Sequence, residues 1–225
     1  MMERRPLILL PLLSLCSPWA RAGLSEGDAA AGIRAALERG CTTAVAQLGR
    51  ADGFLANPAV RIELPGHLKD AAKLLKNLGQ GRKVDELLTT MNRAAEAAVP
   101  AARPLLLAAV KGMSVEDGLK LLKGGDDAVT QFFAGKTRVP LSEKFLPIVS
   151  QATQRLALAD KYNAVAGKAA GLGLLRAEDA NIQQYVTGRA IEGLFQIIGE
   201  EERKIRQDPL GTGSALLKKV FGGLN

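Results

Sequence analysis

Residues 91–133 read MNRAAEAAVPAARPLLLAAVKGMSVEDGLKLLKGGDDAVTQFF. Ala, Leu and Met are strong helix formers, so the stretch favours helix wherever Pro and Gly do not interrupt it. Its first helix starts upstream, near Val84, and turns Leu87, Leu88, Met91, Ala94, Ala95 and Ala98 inward at helical spacing. Pro100 and Pro104 divide or kink it, since each lacks an amide hydrogen and collides with the preceding turn. Ser114, with Asp117 at the third position, caps a new helix buried through Leu119, Leu121 and Leu122. Gly124 and Gly125 end it, and Asp126 or Asp127 caps the next, which carries Val129, Phe132 and Phe133. A succession of short-linked helices of this kind predicts an all-α fold.

Upstream, Leu24, Ser25 and Asp28 form a staple, an N-cap and an acidic third position, and the helix they open runs to about Gly49. Cys41 falls on its apolar face with Ile33, Leu37, Val45 and Leu48, where it acts as a small buried hydrophobe. Residues 53–65 change character. Phe54 and Leu55, an Asn57-Pro58 turn, and Val60, Ile62 and Leu64 alternating with Arg61 and Glu63 predict a small β-hairpin. A short helix over residues 68–78 follows, stopped by Gly79 and Gly81.

Downstream, Val139 precedes a proline and is pushed away from helical angles, so residues 136–140 are expected to be extended, with Ser142 capping a fresh helix through Phe145, Ile148 and Val149. Gly and Ala crowd residues 163–173, which allows close helix approach there. The longest uninterrupted helical pattern covers residues 178–207, with Ile182, Tyr185, Val186, Ala190, Leu194, Ile197 and Ile198 on its buried side. A terminal amphipathic piece sets Leu216, Leu217, Val220 and Phe221 against Lys218 and Lys219. No period of about 20 to 50 residues repeats, and no low-complexity linker divides the chain. The expectation is a single-domain helical bundle over residues 23–225 with one small hairpin near residues 53–65.

Residues 1–22 have the parts of a secretory signal: Arg4 and Arg5, an apolar run from Pro6 to Cys16, and small Ala20 and Ala22 at the end. Cleavage after Ala22 is expected, placing the protein in the periplasm. The run is too short for the roughly 20 residues of a membrane span. A lipoprotein box ending at Cys16 is the rival, disfavoured because Leu15 is larger than the small residue such a box needs. Removing 22 of 225 residues leaves 203, with 27 Lys and Arg against 22 Asp and Glu. That balance is mildly basic, the basic residues alternate with acids, and Trp19 lies in the signal, so nucleic-acid binding is not expected.

The chain has one histidine, His67, in a loop, and one cysteine in the mature part, which leaves no His- or Cys-based zinc site and no Ser-His-Asp triad. Gly171-Leu172-Gly173 and Gly211-Thr212-Gly213 lack the lysine and strand of a nucleotide loop. No cofactor is expected. Carboxylates are the remaining material. Asn92 and Glu96 lie four apart on one helical face with Arg93 beside them, either as a site or as a solvated stripe running from Thr89 to Arg103. Asp117, Asp126 and Asp127 could join Glu96 in an oxygen-rich cation site, although capping accounts for each more simply. The terminal helix could also lie on an anionic membrane surface, with docking onto the bundle as the alternative.

The blocks MNRAAEAAVPAA, MSVEDGLKLLKGGDDAVTQFF, DGFLANPAVRIELP and KFLPIV occur here in an order that resembles the bacterial family catalogued as domain of unknown function 4197. The resemblance extends from Leu24 to Phe221. It implies an exported protein of Gram-negative bacteria, lipid-anchored in some members, and carries no activity, substrate or cofactor. Its characteristic blocks include Asn92, Arg93, Glu96, Asp117, Gly124, Asp127, Thr130 and Phe133. The reading is an exported binding or structural protein that engages an envelope partner or ligand through a polar patch at Asn92, Arg93 and Glu96, with Asp117, Asp127 and Thr130 as further candidate binding residues. A carboxylate-based or metal-assisted hydrolase using Glu96 with Asp117 or Asp127 is the alternative, and a peripheral or lipid-anchored envelope protein is a third.

Overall fold

Ser25 sets the start of the first helix as its sequence requires: its hydroxyl accepts the Asp28 amide at 3.1 Å and donates to the Asp28 carboxylate at 2.9 Å. The computed structural model describes residues 25–125, 128–154, 157–173 and 180–208. Helix α1 spans Glu26–Leu48, α2 Gly66–Leu75, α3 Gly81–Ala98, α4 Ala102–Lys111 and α5 Val115–Lys123. They are followed by α6 over Ala128–Thr153, α7 over Ala157–Gly171 and α8 over Ile182–Gln207. The all-helical expectation holds, and no strand occurs among the described residues. Residues 1–22, where a signal is expected, with Cys16 among them, lie outside these ranges, as do Asp126, Asp127 and the expected terminal amphipathic piece.

The most extensive helix contact joins α6 to α8; α1 packs on α8, α5 and α4, and α3 packs on α6. One apolar cluster runs through these helices, with Leu37, Met91, Leu106, Phe133, Phe145, Leu194 and Phe195 all buried. Cys41 is fully buried within it, and burial pushes its thiol up to about 12, so it stays protonated and inert near neutral pH.

Proline divides α3 from α4 as expected, through a single 3-10 turn over Val99–Ala101. Between α2 and α3 the chain takes one wide turn, Lys76–Gln80, where Gly79 adopts φ +76°. Arg34, whose spacing to Glu38 suggests a solvated pair, instead donates two bonds to the Met113 carbonyl at 2.7 and 3.2 Å, tying α1 to the junction before α5.

Three expectations are corrected. Residues 136–140 are not extended and Ser142 caps nothing, because α6 continues through both Pro140 and Pro147. Each proline strands the carbonyl four residues earlier, on Lys136 and Glu143, and both residues are exposed, so water can satisfy what the helix loses. The buried positions of α6, Val129, Phe133, Thr137, Leu141, Phe145, Val149 and Thr153, recur every fourth residue. At 3.6 residues per turn such a line drifts about 40° per step, so it winds round a helix that packs against α3, α4 and α8. Thr137 and Thr153 sit on that line because their hydroxyls bond back to the carbonyls of Phe133 and Val149, at 2.7 and 2.9 Å.

The glycines of residues 163–173 do not mediate close helix approach at Gly167 or Gly171, where a Cβ would meet nothing within 4 Å. Close approach occurs instead at Gly193 on α8, where a Cβ would come within 2.9 Å of the Phe54 ring. The third correction concerns the segment that carries Phe54, the expected hairpin.

Candidate functional site

Between α1 and α2 the chain has no regular structure, so its amide and carbonyl groups need partners from elsewhere. Val60, Ile62 and Leu64 are buried while Arg61 and Glu63 are exposed, so the alternation predicted from sequence is real. No second strand pairs with it, because Phe54 and Leu55 lie in consecutive turns closed by bonds such as Asn57 N–H to the Phe54 carbonyl, 3.1 Å. Asn92 takes the place of the missing strand. Its Oδ1 accepts the Ile62 amide at 2.8 Å and its Nδ2 donates to the Ile62 carbonyl at 2.9 Å, which reproduces both halves of a ladder pair. The second Nδ2 hydrogen goes to the Leu88 carbonyl at 2.8 Å.

One helical turn on, Glu96 does the same for the turns. Its Oε1 accepts the amides of Phe54 at 3.0 Å and Leu55 at 3.1 Å, and its Oε2 accepts Arg93 Nη1 at 2.7 Å. Arg93 carries the contact outward, its Nη2 reaching Asp52 at 2.8 Å. Bonding to Glu96, with the Asp52 charge nearby, raises the arginine's pKa above its already high value, so it is a permanent cation. Asp52 occupies a left-handed turn position at φ +66°, a conformation that Asp tolerates better than most residues. Next to it, a Cβ on Gly53 would lie 2.5 Å from the Leu48 carbonyl oxygen, so only glycine fits.

The three residues at the head of the candidate list are therefore brought together, and Asn92 and Glu96 are buried, at 0% and 4% exposure. They are not a solvated stripe. Both polar side-chain atoms of Asn92 and both oxygens of Glu96 are engaged within the protein. Together they clamp the segment of residues 52–62 onto α3, while Tyr185 of α8 donates to the Glu63 carbonyl at 2.9 Å from the other side.

Held this way, residues 59–66 and α8 enclose a cleft of about 460 Å³. Arg61 and Glu63 pair across its rim at 3.0 Å, as do Arg189 and Glu192. Lys69, Tyr185 and Gln196 complete its polar lining, and the Arg189 guanidinium lies 5.3 Å from the centre of the Tyr185 ring. None of these lining residues figures among the sequence candidates. Tyr185 reads in sequence as one more apolar position of a long helix, and the cleft exists only once the segment is folded against that helix.

Of the remaining candidates, Asp127 lies outside the described residues, and Asp117 and Thr130 are elsewhere. Asp117 completes a capping box, accepting the Ser114 amide at 3.1 Å while its own amide bonds the Ser114 hydroxyl at 3.0 Å. Those bonds lower its pKa below the ordinary carboxylate value. No group of three or more His, Cys, Asp and Glu side chains is arranged to hold a metal ion among the described residues. Thr130 lines a separate depression of about 330 Å³ between α6 and α8.

An all-helical protein with a buried polar clamp and an adjoining cleft is the class these features define. Residues 23–222 match the family described as protein of unknown function (DUF4197), and the chain belongs to that family. No curated protein and no solved structure matches it.

Proposed function

We propose that the protein is an exported, periplasmic binding protein, and that the cleft between residues 59–66 and α8 receives its partner. In this reading Asn92, Arg93 and Glu96 act indirectly, fixing the wall of the cleft rather than touching what enters it. The observation that carries the reading is the use of Glu96. Oε1 accepts the amides of Phe54 and Leu55, Oε2 accepts Arg93, and the residue is buried, so the carboxylate is committed to holding the fold rather than presented to a substrate or a metal. This favours binding over hydrolysis, in which Glu96 and either Asp117 or Asp127 would need to meet at a substrate. Export rests on the signal-like residues 1–22.

Complementation of a deletion strain tests the binding role. Ala59 is exposed, lines the cleft and makes no bond to Asn92, Arg93 or Glu96, so Ala59→Trp obstructs the cleft without removing a bond of the clamp. Its periplasmic level should equal wild type while complementation is lost. Full complementation by Ala59→Trp would sink the proposal. The export half is tested by the mass of the protein in osmotic-shock fluid, expected to begin at Gly23; a membrane-bound form lipidated at Cys16 would replace it with the anchored reading.

A further inference from the structure

The depression lined by Thr130 has chemistry of its own. Phe195 and Gly199 of α8 are buried and form its floor. Arg138 reaches over from α6, its guanidinium carbon 5.6 Å from the centre of the Phe195 ring. Arg203 stands one turn beyond Gly199, its Nε bonded to the Gly199 carbonyl at 3.4 Å. Between them the Thr130 hydroxyl comes so near Gly199 that a Cβ there would lie 3.2 Å from it.

Both guanidiniums lack a carboxylate partner among the described residues, and each keeps N–H donors free. Glu192 also borders the depression, but its Oε2 accepts Arg189 Nη1 at 3.0 Å, so that charge is already matched. Two uncompensated planar cations and a hydroxyl in one concavity over an aromatic floor suit a tetrahedral oxyanion better than any neutral group.

We propose that the α6–α8 depression is a binding site for a phosphoryl group, with Arg138 and Arg203 as its two cationic arms and Thr130 as its hydroxyl donor. At about 330 Å³ the space exceeds a bare phosphate, so the phosphoryl group belongs to a larger molecule, a phospholipid headgroup or a soluble phosphoester. Glu192 and Gln196 border both this depression and the first cleft, which places the two side by side along α8. The inference does not depend on the function proposed above, because Arg138, Arg203 and Thr130 do not line the first cleft.

The test is titration of the mature protein with inorganic phosphate and with glycerol 3-phosphate at constant ionic strength, read by calorimetry and by the amide shifts of Thr130 and Gly199. Arg138→Gln and Arg203→Gln, both at exposed positions and checked for unchanged helicity, should each raise the dissociation constant at least about tenfold. Thr130→Val should raise it about threefold, and Arg82→Gln, at an exposed position of α3 that lines neither hollow, should leave it unchanged. Sedimentation with phosphatidylglycerol vesicles, against phosphatidylcholine alone, then separates the sources. Vesicle binding lost in the double arginine variant identifies a headgroup, while phosphoester binding without vesicle binding identifies a soluble ligand. No saturable binding of any of these probes, or binding that survives the double substitution, overturns the proposal.

Discussion

Asn92 with Glu96, and Ser114 with Asp117, are short polar side chains doing one job, the pairing of backbone groups that helices and sheets leave over, at opposite ranges in the chain. Ser114 and Asp117 serve each other across three residues, on the surface, at the start of their own helix. Asn92 and Glu96 reach back 30 to 42 residues and act inside the protein. The difference is one of consequence. An exposed cap can be replaced by water at small cost, whereas a buried donor deprived of its acceptor has nothing to turn to. A local pattern therefore marks where an element begins, and a long-range one decides whether an irregular segment has a structure at all.

The sharpest way to break that contrast is Asn92→Leu. The substitution keeps the volume and leaves the Ile62 amide and carbonyl buried without partners, each worth about 1 to 3 kcal/mol. A stability loss of about 3 kcal/mol or more is expected by denaturant titration, with hydrogen exchange accelerated across residues 53–64. If Asn92→Leu costs no more than the loss of a helix cap, the clamp does not hold the segment.

Glu96→Gln should come next, at about 2 kcal/mol. The amide oxygen can still accept from Phe54 and Leu55, but the new NH2 then faces Arg93 Nη1, donor against donor, where a 2.7 Å bond stood. Exchange should quicken at Phe54 and Leu55 and much less at Ile62, because Asn92 is intact. Equal acceleration at all three would mean that the two anchors act as one unit. Ser114→Ala is smaller again, about 1 kcal/mol, with exchange changes confined to the first turn of α5.

What was legible in the sequence follows the same division. Caps, proline breaks and 3.6-residue periodicity are local, and they locate α1, the break between α3 and α4, the start of α5 and the buried face of α8. The hairpin is absent: alternation in Val60, Ile62 and Leu64 reports which side is buried but is silent on what pairs with the backbone. An asparagine 30 residues away supplies the pairing, and no local pattern announces it. In α6 the four-residue repeat departs from the ordinary helical period, and two prolines add a false stop, so a continuous helix read as two pieces. The candidate residues Asn92, Arg93 and Glu96 were picked out because polar side chains among Ala and Met demand a reason. Their partners, and the clefts along α8, depend on which segments meet in space.

The smallest effect belongs to the exposed member of the comparison, and its sign is fixed by the direction of its pKa. Asp117 is held below its ordinary value of 3.8 chiefly by its bond from the Ser114 amide, so the folded helix binds the proton less tightly than the unfolded chain does. The contribution is complete above that ordinary value and disappears as pH falls through the lower folded one. Acidification from pH about 5 should fray the first turn of α5, seen as faster exchange at Val115, Glu116 and Asp117, while Asp117→Asn removes the pH dependence there. The clamp gives the control. Should the amide of Ile62, held by the uncharged Asn92, loosen in step with those of α5, the two regions would be one cooperative unit, and the distinction between a local cap and a long-range anchor would not survive.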